Sequence, residues 1–323
     1  MSIITIGLNP AIDRIVTARR LTPGEHLPVT ELARLAAGKA ANVSRALALC
    51  GKNSTALGFV GRSDAEWFTR QLTALGPGVI RCNFIKAFEQ TRENITILDT
   101  AAGVETHLRD AGCPVDAGAF QRFAILLNKT MRRGDAVVFA GSLPPGFTTR
   151  QLVRLLKACH AAGCRVAVDT SGPALQAAVR CPLWLIKPNL EELSELLGRR
   201  IKNNPQAIAA AAGPLLKTVE NILVSRGAAG AVLMRRDGFY TGRLLKKVKI
   251  VRTVACGDHL LAGFASAAVD GAAPAECLRH ALLVATARAT SRNFGTFGGL
   301  LSAKAVEVRC SDAAVDRGHL QHE

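Results

Sequence analysis

Residues Ala136-Val137-Val138-Phe139-Ala140, the helix-spaced Leu152–His160 closed by Gly163, and Arg165-Val166-Ala167-Val168-Asp169 decide the fold class. A short apolar run bounded by Gly141 reads as a buried strand, and the amphipathic stretch ended by glycine reads as a helix. The second apolar run is then the next strand. Strand, helix, strand in that order makes the two strands parallel neighbours, with the helix covering one face.

The alternation continues in both directions. Ile3–Ile6 is a first strand, Ala41–Leu49 a helix ending at Gly51, and Thr55–Val60 a strand. Phe120–Met131 has helical spacing, and Leu183-Trp184-Leu185-Ile186 is a strand feeding a helix through Leu197. Asn221–Ser225 and Ala231–Arg235 read as strands, Leu260–Val269 and Ala275–Thr290 as helices. The order predicts an α/β, three-layer α/β/α fold with a mostly parallel central sheet covered on both faces. Ligands in such sheets bind beyond the carboxyl ends of the strands. Residues 13–35 and 82–109, the latter with alternating Asn94-Ile95-Thr96-Ile97-Leu98, break the pattern and read as extended pieces outside the main sheet, a small β lid. The chain is thus expected to be one domain over 1–310 with these lid segments inserted, then a polar tail over 311–323, frayed beyond Val308.

With 323 residues, 49% apolar and 20% charged, the chain can bury a large core and is not disordered. No apolar run reaches the roughly 18 residues of a membrane span, and Met1–Gly7 lacks a basic leader, so a cytoplasmic protein with no membrane partner is expected. Nine cysteines without a C-x-x-C pair argue against a disulfide framework or zinc site and for reduced, mostly packing thiols. The net charge of +16 raises nucleic-acid binding or attraction of small anions. The densest basic run, Arg243–Lys249, has no interleaved aromatics, which favours a small polyanionic substrate and no nucleic-acid partner.

Several segments join small residues to polar ones at strand–helix turns. In Thr253-Val254-Ala255-Cys256-Gly257-Asp258-His259, the unpaired amides of a helix start can hold an anion. Asp258 is either a helix-stabilising charge or a carboxylate that takes a proton from an attacking hydroxyl beside that anion. In Lys187-Pro188-Asn189-Leu190-Glu191-Glu192, Asn189 and Glu192 are either a capping box or oxygen groups that position Mg²⁺ and its waters. Ala37-Gly38-Lys39-Ala40-Ala41-Asn42 combines open backbone, a point charge and a hydrogen-bonding amide, and Gly141–Gly146 is a rigid turn able to border a pocket. Neither a Walker A sequence nor G-x-S-x-G occurs, which excludes a P-loop and a nucleophile elbow.

Taken in order, Leu8–Arg14, Gly38-Lys39 with Asn42, Thr91-Arg92-Glu93-Asn94, Gly141–Gly146, Lys187–Glu192, Ser225–Gly230 and Gly257-Asp258 resemble the PfkB (ribokinase-like) carbohydrate kinases. Asn9-Pro10-Ala11-Ile12-Asp13 is most similar to the 1-phosphofructokinase and tagatose-6-phosphate kinase branch. The resemblance implies a ribokinase-like fold and an ATP- and Mg²⁺-dependent phosphosugar kinase, acting foremost on D-fructose 1-phosphate. It implies Asp258 as general base and the amides of Ala255, Cys256 and Gly257 around the transferring phosphoryl group. Asp13, Gly38, Lys39 and Asn42 would bind the sugar, with Arg92 and Lys39 on its phosphate. Ser225, Arg226, Gly227, Gly230 and Gly257 would border ATP, and Asn189 and Glu192 would organise Mg²⁺. A homodimer through the lid is a further implication.

Two departures stand out. The family's G-A-G-D reads Ala255-Cys256-Gly257-Asp258, placing a Cβ where the chain wants φ > 0 or where phosphate approaches. Its G-G-K-G reads Ala37-Gly38-Lys39-Ala40. Tagatose-6-phosphate or fructose-6-phosphate kinase activity, or a phosphosugar-binding pseudokinase, are the alternatives.

Overall fold

The computed structural model describes residues 1–74, 79–251, 253–291 and 301–312. Its strands are β1 (Ile3–Gly7), β2 (Ala11–Ala18), β3 (Thr30–Ala37), β4 (Ser54–Gly61), β5 (Ile80–Phe88), β6 (Glu93–Asp99), β7 (Val104–Arg109) and β8 (Ala136–Ala140). They continue as β9 (Arg165–Asp169), β10 (Leu183–Ile186), β11 (Val219–Ser225), β12 (Ala231–Arg235), β13 (Gly238–Leu244) and β14 (Val306–Asp312). The helices are α1 (Lys39–Leu49), α2 (Ala65–Thr73), α3 (Ala117–Thr130), α4 (Thr149–Ala161), α5 (Gly172–Ala178) and α6 (Leu190–Leu196). They end with α7 (Pro205–Ala212), α8 (Cys256–Val269) and α9 (Pro274–Thr290).

Ten strands form the central sheet in the order β14-β13-β12-β11-β10-β9-β8-β1-β4-β5. From β11 through β5 every neighbouring pair is parallel. Apart from the edge strand β5, these strands are apolar runs because helices bury both of their faces. One core lies under α3 to α7, around Phe59, Phe123, Leu156 and Ile222. A second lies under α1, α8 and α9, around Val43, Trp184, Leu223 and Phe264, and a third, smaller one lies at α2, around Ile12, Phe68 and Leu72. The parallel strands therefore end along one edge of the sheet, where Asn9, Gly141, Asp169, Lys187 and Ser225 emerge together.

A second sheet of four strands, β3-β2-β6-β7, stands apart from the first. β2 pairs antiparallel with β3 and parallel with β6, and β7 completes it antiparallel to β6. Its first strand follows the Asn9-Pro10 turn directly and its second runs into α1 through Gly38, so the main sheet's active edge and this sheet share a hinge of sequence.

Two expectations are corrected. Residues 82–88 are not outside the main sheet: they belong to β5, paired in register with β4. Their alternation of exposed and half-buried side chains is that of an edge strand with one covered face. Nor does the chain fray after Val308, because β14 runs to Asp312 and pairs with β13 along its whole length. Val306 and Val308 pack on the α9 side of the sheet, and that burial extends the strand. Residues 313–323 of the expected tail lie outside the described residues. β13 escapes sequence reading because Gly-Phe-Tyr-Thr-Gly offers no apolar run; the Arg236-Asp237 turn and its pairing with β12 create it.

Candidate active site

Buried charge is concentrated at the carboxyl edge of the main sheet. Asp169, the last residue of β9, has a fully buried side chain and binds two lysines: Lys39 Nζ at 2.9 Å and Lys187 Nζ at 3.5 Å. Lys39 opens α1, and Lys187 follows β10 with a side chain 4% exposed. Glu192 Oε1 lies 3.9 Å from Lys39. Asp258, in the first turn of α8, is buried, and Asn42 Nδ2 donates to its Oδ2 at 2.8 Å. Three carboxylates, two ammonium groups and an amide, from β9, α1, α6, α8 and the end of β10, thus converge.

Burial and the neighbouring Asp169 push the Asp258 carboxyl up to about 7, against the pull of Lys39, the Asn42 hydrogen bond and Lys187. Burial alone would lower Lys39, but Asp169, Asp258 and Glu192 outweigh it and hold the ammonium above its ordinary range. A carboxylate poised near neutrality beside fixed positive charge is a suitable proton acceptor for a hydroxyl attacking an anionic group.

Ala255 is the N-cap of α8, at φ 66° and ψ 4°, and is the one non-glycine with positive φ among the described residues. The Cβ is thus strained where glycine would not be. The Cys256 amide lies 3.5 Å from the Thr253 carbonyl, and that of His259 bonds Ala255. A Cβ at Gly257 would come 3.2 Å from Lys187 Nζ, so the bare glycine keeps the cradle open beside that ammonium. Burial raises the Cys256 thiol, with Arg288 opposing and Asp258 reinforcing the shift, which marks it as a small packed thiol. Ala255→Gly is expected to stabilise the fold by about 0.5–1 kcal/mol, the relief of αL strain exceeding the extra entropy of the unfolded chain. Thermal melting checks this; an unchanged or lower Tm contradicts it.

The second sheet closes the other side. Asn94 Nδ2 donates to Asp13 Oδ1 at 2.9 Å, fixing the Asp13 carboxylate between β2 and β6. Asp13, Asn42 and Ala255 line an open cleft of about 750 Å³ between this sheet and the ends of α1 and α8. Gly38, at φ 99°, lets the chain turn into α1 against Pro10, whose Cα a Cβ there would approach to 3.2 Å. Arg92 is placed differently from Lys39. Its Nε and Nη2 donate to the carbonyls of Pro10 and Asn9 at 3.1 Å, and Nη1 to that of Asp110 at 2.5 Å. Asn9 in turn donates to Ala111 O and Ser142 Oγ, tying the Asn9-Pro10 turn to the Gly141–Gly146 turn.

Comparison with known proteins accords with this geometry. Residues 2–297 match the pfkB family carbohydrate kinase profile. The chain belongs to that family. It is similar to a 1-phosphofructokinase of Haemophilus influenzae, 30% identical over 91% of this chain and 93% of that protein. A tagatose-6-phosphate kinase of Staphylococcus epidermidis is 29% identical over 86% and 89%. Among solved structures, phosphofructokinase-2 from Escherichia coli in complex with fructose-6-phosphate superposes with a TM-score of 0.83 at 25% identity, covering 89% and 93%. The chain is therefore a sugar kinase of phosphofructokinase type, a phosphotransferase acting on an alcohol group, with the ribokinase-like α/β fold.

In this pfkB kinase the remaining motif residues border the same edge. Asn189 and Glu192 form a capping box, with Asn189 Oδ1 accepting from the Glu192 amide at 2.8 Å and Glu192 Oε2 from the Asn189 amide at 2.9 Å. The cap leaves Glu192 Oε1 facing Lys39. Ser225 ends β11 and bridges to Asn189. Gly227 and Gly230 take positive φ in the tight turn that follows, and Arg226 holds Asn203 across it. Among the described residues no group of three or more His, Cys, Asp or Glu is placed to hold a metal ion. The described residues thus form no cage of protein ligands, whereas a Mg²⁺ that keeps its waters and rides on phosphates fits Glu192, whose Oε1 takes no part in the cap. Asp169 and Lys187 were not singled out as site residues from sequence. Their signal is topological: each closes one of two adjacent parallel strands at the ligand edge.

Proposed function

We propose that the protein transfers the γ-phosphoryl group of ATP to a hydroxyl of a sugar phosphate, with D-fructose 1-phosphate the foremost acceptor and fructose 1,6-bisphosphate and ADP the products. The observation that carries this is the buried Asp258 at the start of α8, hydrogen-bonded by Asn42 and facing Lys39 and Lys187. The acceptor oxygen attacks phosphorus, its proton passes to Asp258 and the bond to ADP breaks. Asp13, Gly38, Lys39 and Asn42 orient the sugar, with Arg92 and Lys39 toward the phosphate it already carries. The start of α8 at Ala255, Cys256 and Gly257, with Lys39 and Lys187, offsets the charge on the transferring group, as phosphoryl transfer requires. Ser225, Arg226, Gly227, Gly230 and Gly257 border the nucleotide. Mg²⁺, when bound, supplies charge neutralisation on the phosphates, with Asn189 and Glu192 toward its waters.

The likeness to a tagatose-6-phosphate kinase supports tagatose 6-phosphate as a second acceptor, and fructose 6-phosphate completes the set. ADP release measured with Mg·ATP and each of the three in turn tests the reading. Turnover favouring fructose 1-phosphate supports it, and turnover with none of them overturns it. The reading extends to a cytoplasmic enzyme that pairs with a second copy through the small sheet, where Leu32, Val104 and Leu108 are about half exposed. Among the described residues no helix is long and apolar enough to cross a membrane. A monomer in sedimentation equilibrium would contradict the pairing.

A further inference from the structure

The outer face of α4 carries positive charge that the active site does not use. α4 buries Leu152, Leu155, Leu156 and Cys159 in the core and leaves Arg150, Arg154 and Lys157 exposed. With Arg180, just past α5, they rim an open groove of about 1110 Å³, floored in part by Val153 and Ala177. None of these four cations meets a carboxylate among the described residues. The chain offers them no local counter-ion. Between Asp135 and Glu191 the one acidic residue is Asp169, whose buried carboxylate is already held by Lys39 and Lys187. Along α4, Arg150 and Arg154 stand four residues apart, and Arg154 and Lys157 three apart, so the helix bears like-charge neighbours that cost it stability. No aromatic side chain lines the groove, and the nearby Phe120 is buried beneath the Arg154 guanidinium, 5.6 Å from its ring centroid.

We propose that this groove docks an acidic helical segment of a partner protein, with carboxylates on both sides of a narrow apolar stripe. The carboxylates meet the cations at the rim and relieve their mutual repulsion, while the stripe covers Val153 and Ala177. The α4 cations extend over about 10 Å of helix axis at 1.5 Å per residue, and a helical partner presents its own side chains at the same i, i+4, i+7 spacing. A nucleic acid fits less well, because its bases have no aromatic face to stack on here. A small ligand would be left largely in solvent, since the groove is open rather than enclosed. The docking is independent of the sugar that the active site accepts.

The test measures fluorescence anisotropy of a labelled synthetic peptide of about 16 residues, a leucine stripe flanked by glutamates, titrated with the full chain. An oligothymidylate of the same length is titrated alongside. Two double variants change the net charge equally: Arg150→Glu with Lys157→Glu in the groove, and Lys246→Glu with Lys247→Glu in the exposed basic run far along the sequence. The groove variant converts like-charge neighbours on α4 into opposite ones, so it should melt no lower than the wild type, which circular dichroism checks. The wild type is expected to bind the peptide, the groove variant about tenfold or more weakly, and the Lys246/Lys247 variant within about twofold of the wild type. Absence of peptide binding to the wild type overturns the proposal. Equal weakening in the two variants overturns it as well, since the protein's overall charge would then account for the binding. So does an oligothymidylate that binds more tightly than the peptide and is lost in the groove variant, which would make the groove a nucleic-acid surface.

Discussion

Asp258→Asn is expected to lower kcat by about 10²- to 10⁴-fold, the usual range for loss of a general base. Asparagine keeps the shape and can still accept from Asn42, so the loss reports the missing proton acceptor rather than a collapsed site. The wild-type pH profile carries the same signature. A carboxyl raised to about 7 is half protonated there, so kcat/KM should fall tenfold per unit below about pH 7 and level off above it. The stability consequence has the opposite sense. With the folded-state pKa above the unfolded one, the native state binds the extra proton between about pH 4 and 7, so this group's stabilisation is lost as pH rises through about 7. Asp258→Asn should therefore melt above the wild type at pH 8 and lose that advantage near pH 4. Paired thermal melts at the two pH values check the sign, and a variant melting lower at pH 8 contradicts the burial argument.

Asp169→Asn should be the most damaging substitution for stability in the site. Asp169 is the shared counter-ion of Lys39 and of the buried Lys187, so its neutralisation leaves an ammonium buried without a carboxylate. Breaking such a pair costs about 3–5 kcal/mol; with Lys39 36% exposed and water sharing its charge, about 3 kcal/mol is expected here. Denaturant unfolding reads it, and a loss under about 1 kcal/mol would show that the lysines are solvated or find other partners. Activity should fall as well, because Lys39 and Lys187 lose the anchor that aims them at the transferring group.

The fold was legible from sequence wherever one local pattern decided the outcome. β8, β9 and β10 are apolar runs ended by polar residues because both faces are buried, and α4 carries a helical stripe closed by glycine. It was illegible where long-range pairing decides: β5, read as part of the second sheet, joins the first because β4 offers an edge, and β14 exists because β13 does. The site follows the same division. Residues at strand–helix turns, such as Asn42, Asn189 and Asp258, announce themselves through small neighbours and capping patterns. Asp169 shows in sequence only as the polar end of a strand, and its role needs the two lysines delivered by α1 and β10. Ala255 was readable as a misfit, and the structure places it at positive φ as that misfit implied.

The most direct test of phosphoryl transfer assisted by Asp258 is ³¹P NMR of the reaction with Mg·ATP and fructose 1-phosphate, run with the wild type and with Asp258→Asn. The account predicts a second phosphomonoester resonance on the sugar, growing in step with ADP in the wild type and at least about 100-fold more slowly in the variant. Release of ADP and inorganic phosphate with the sugar phosphate unchanged, or equal rates in the two proteins, would contradict it.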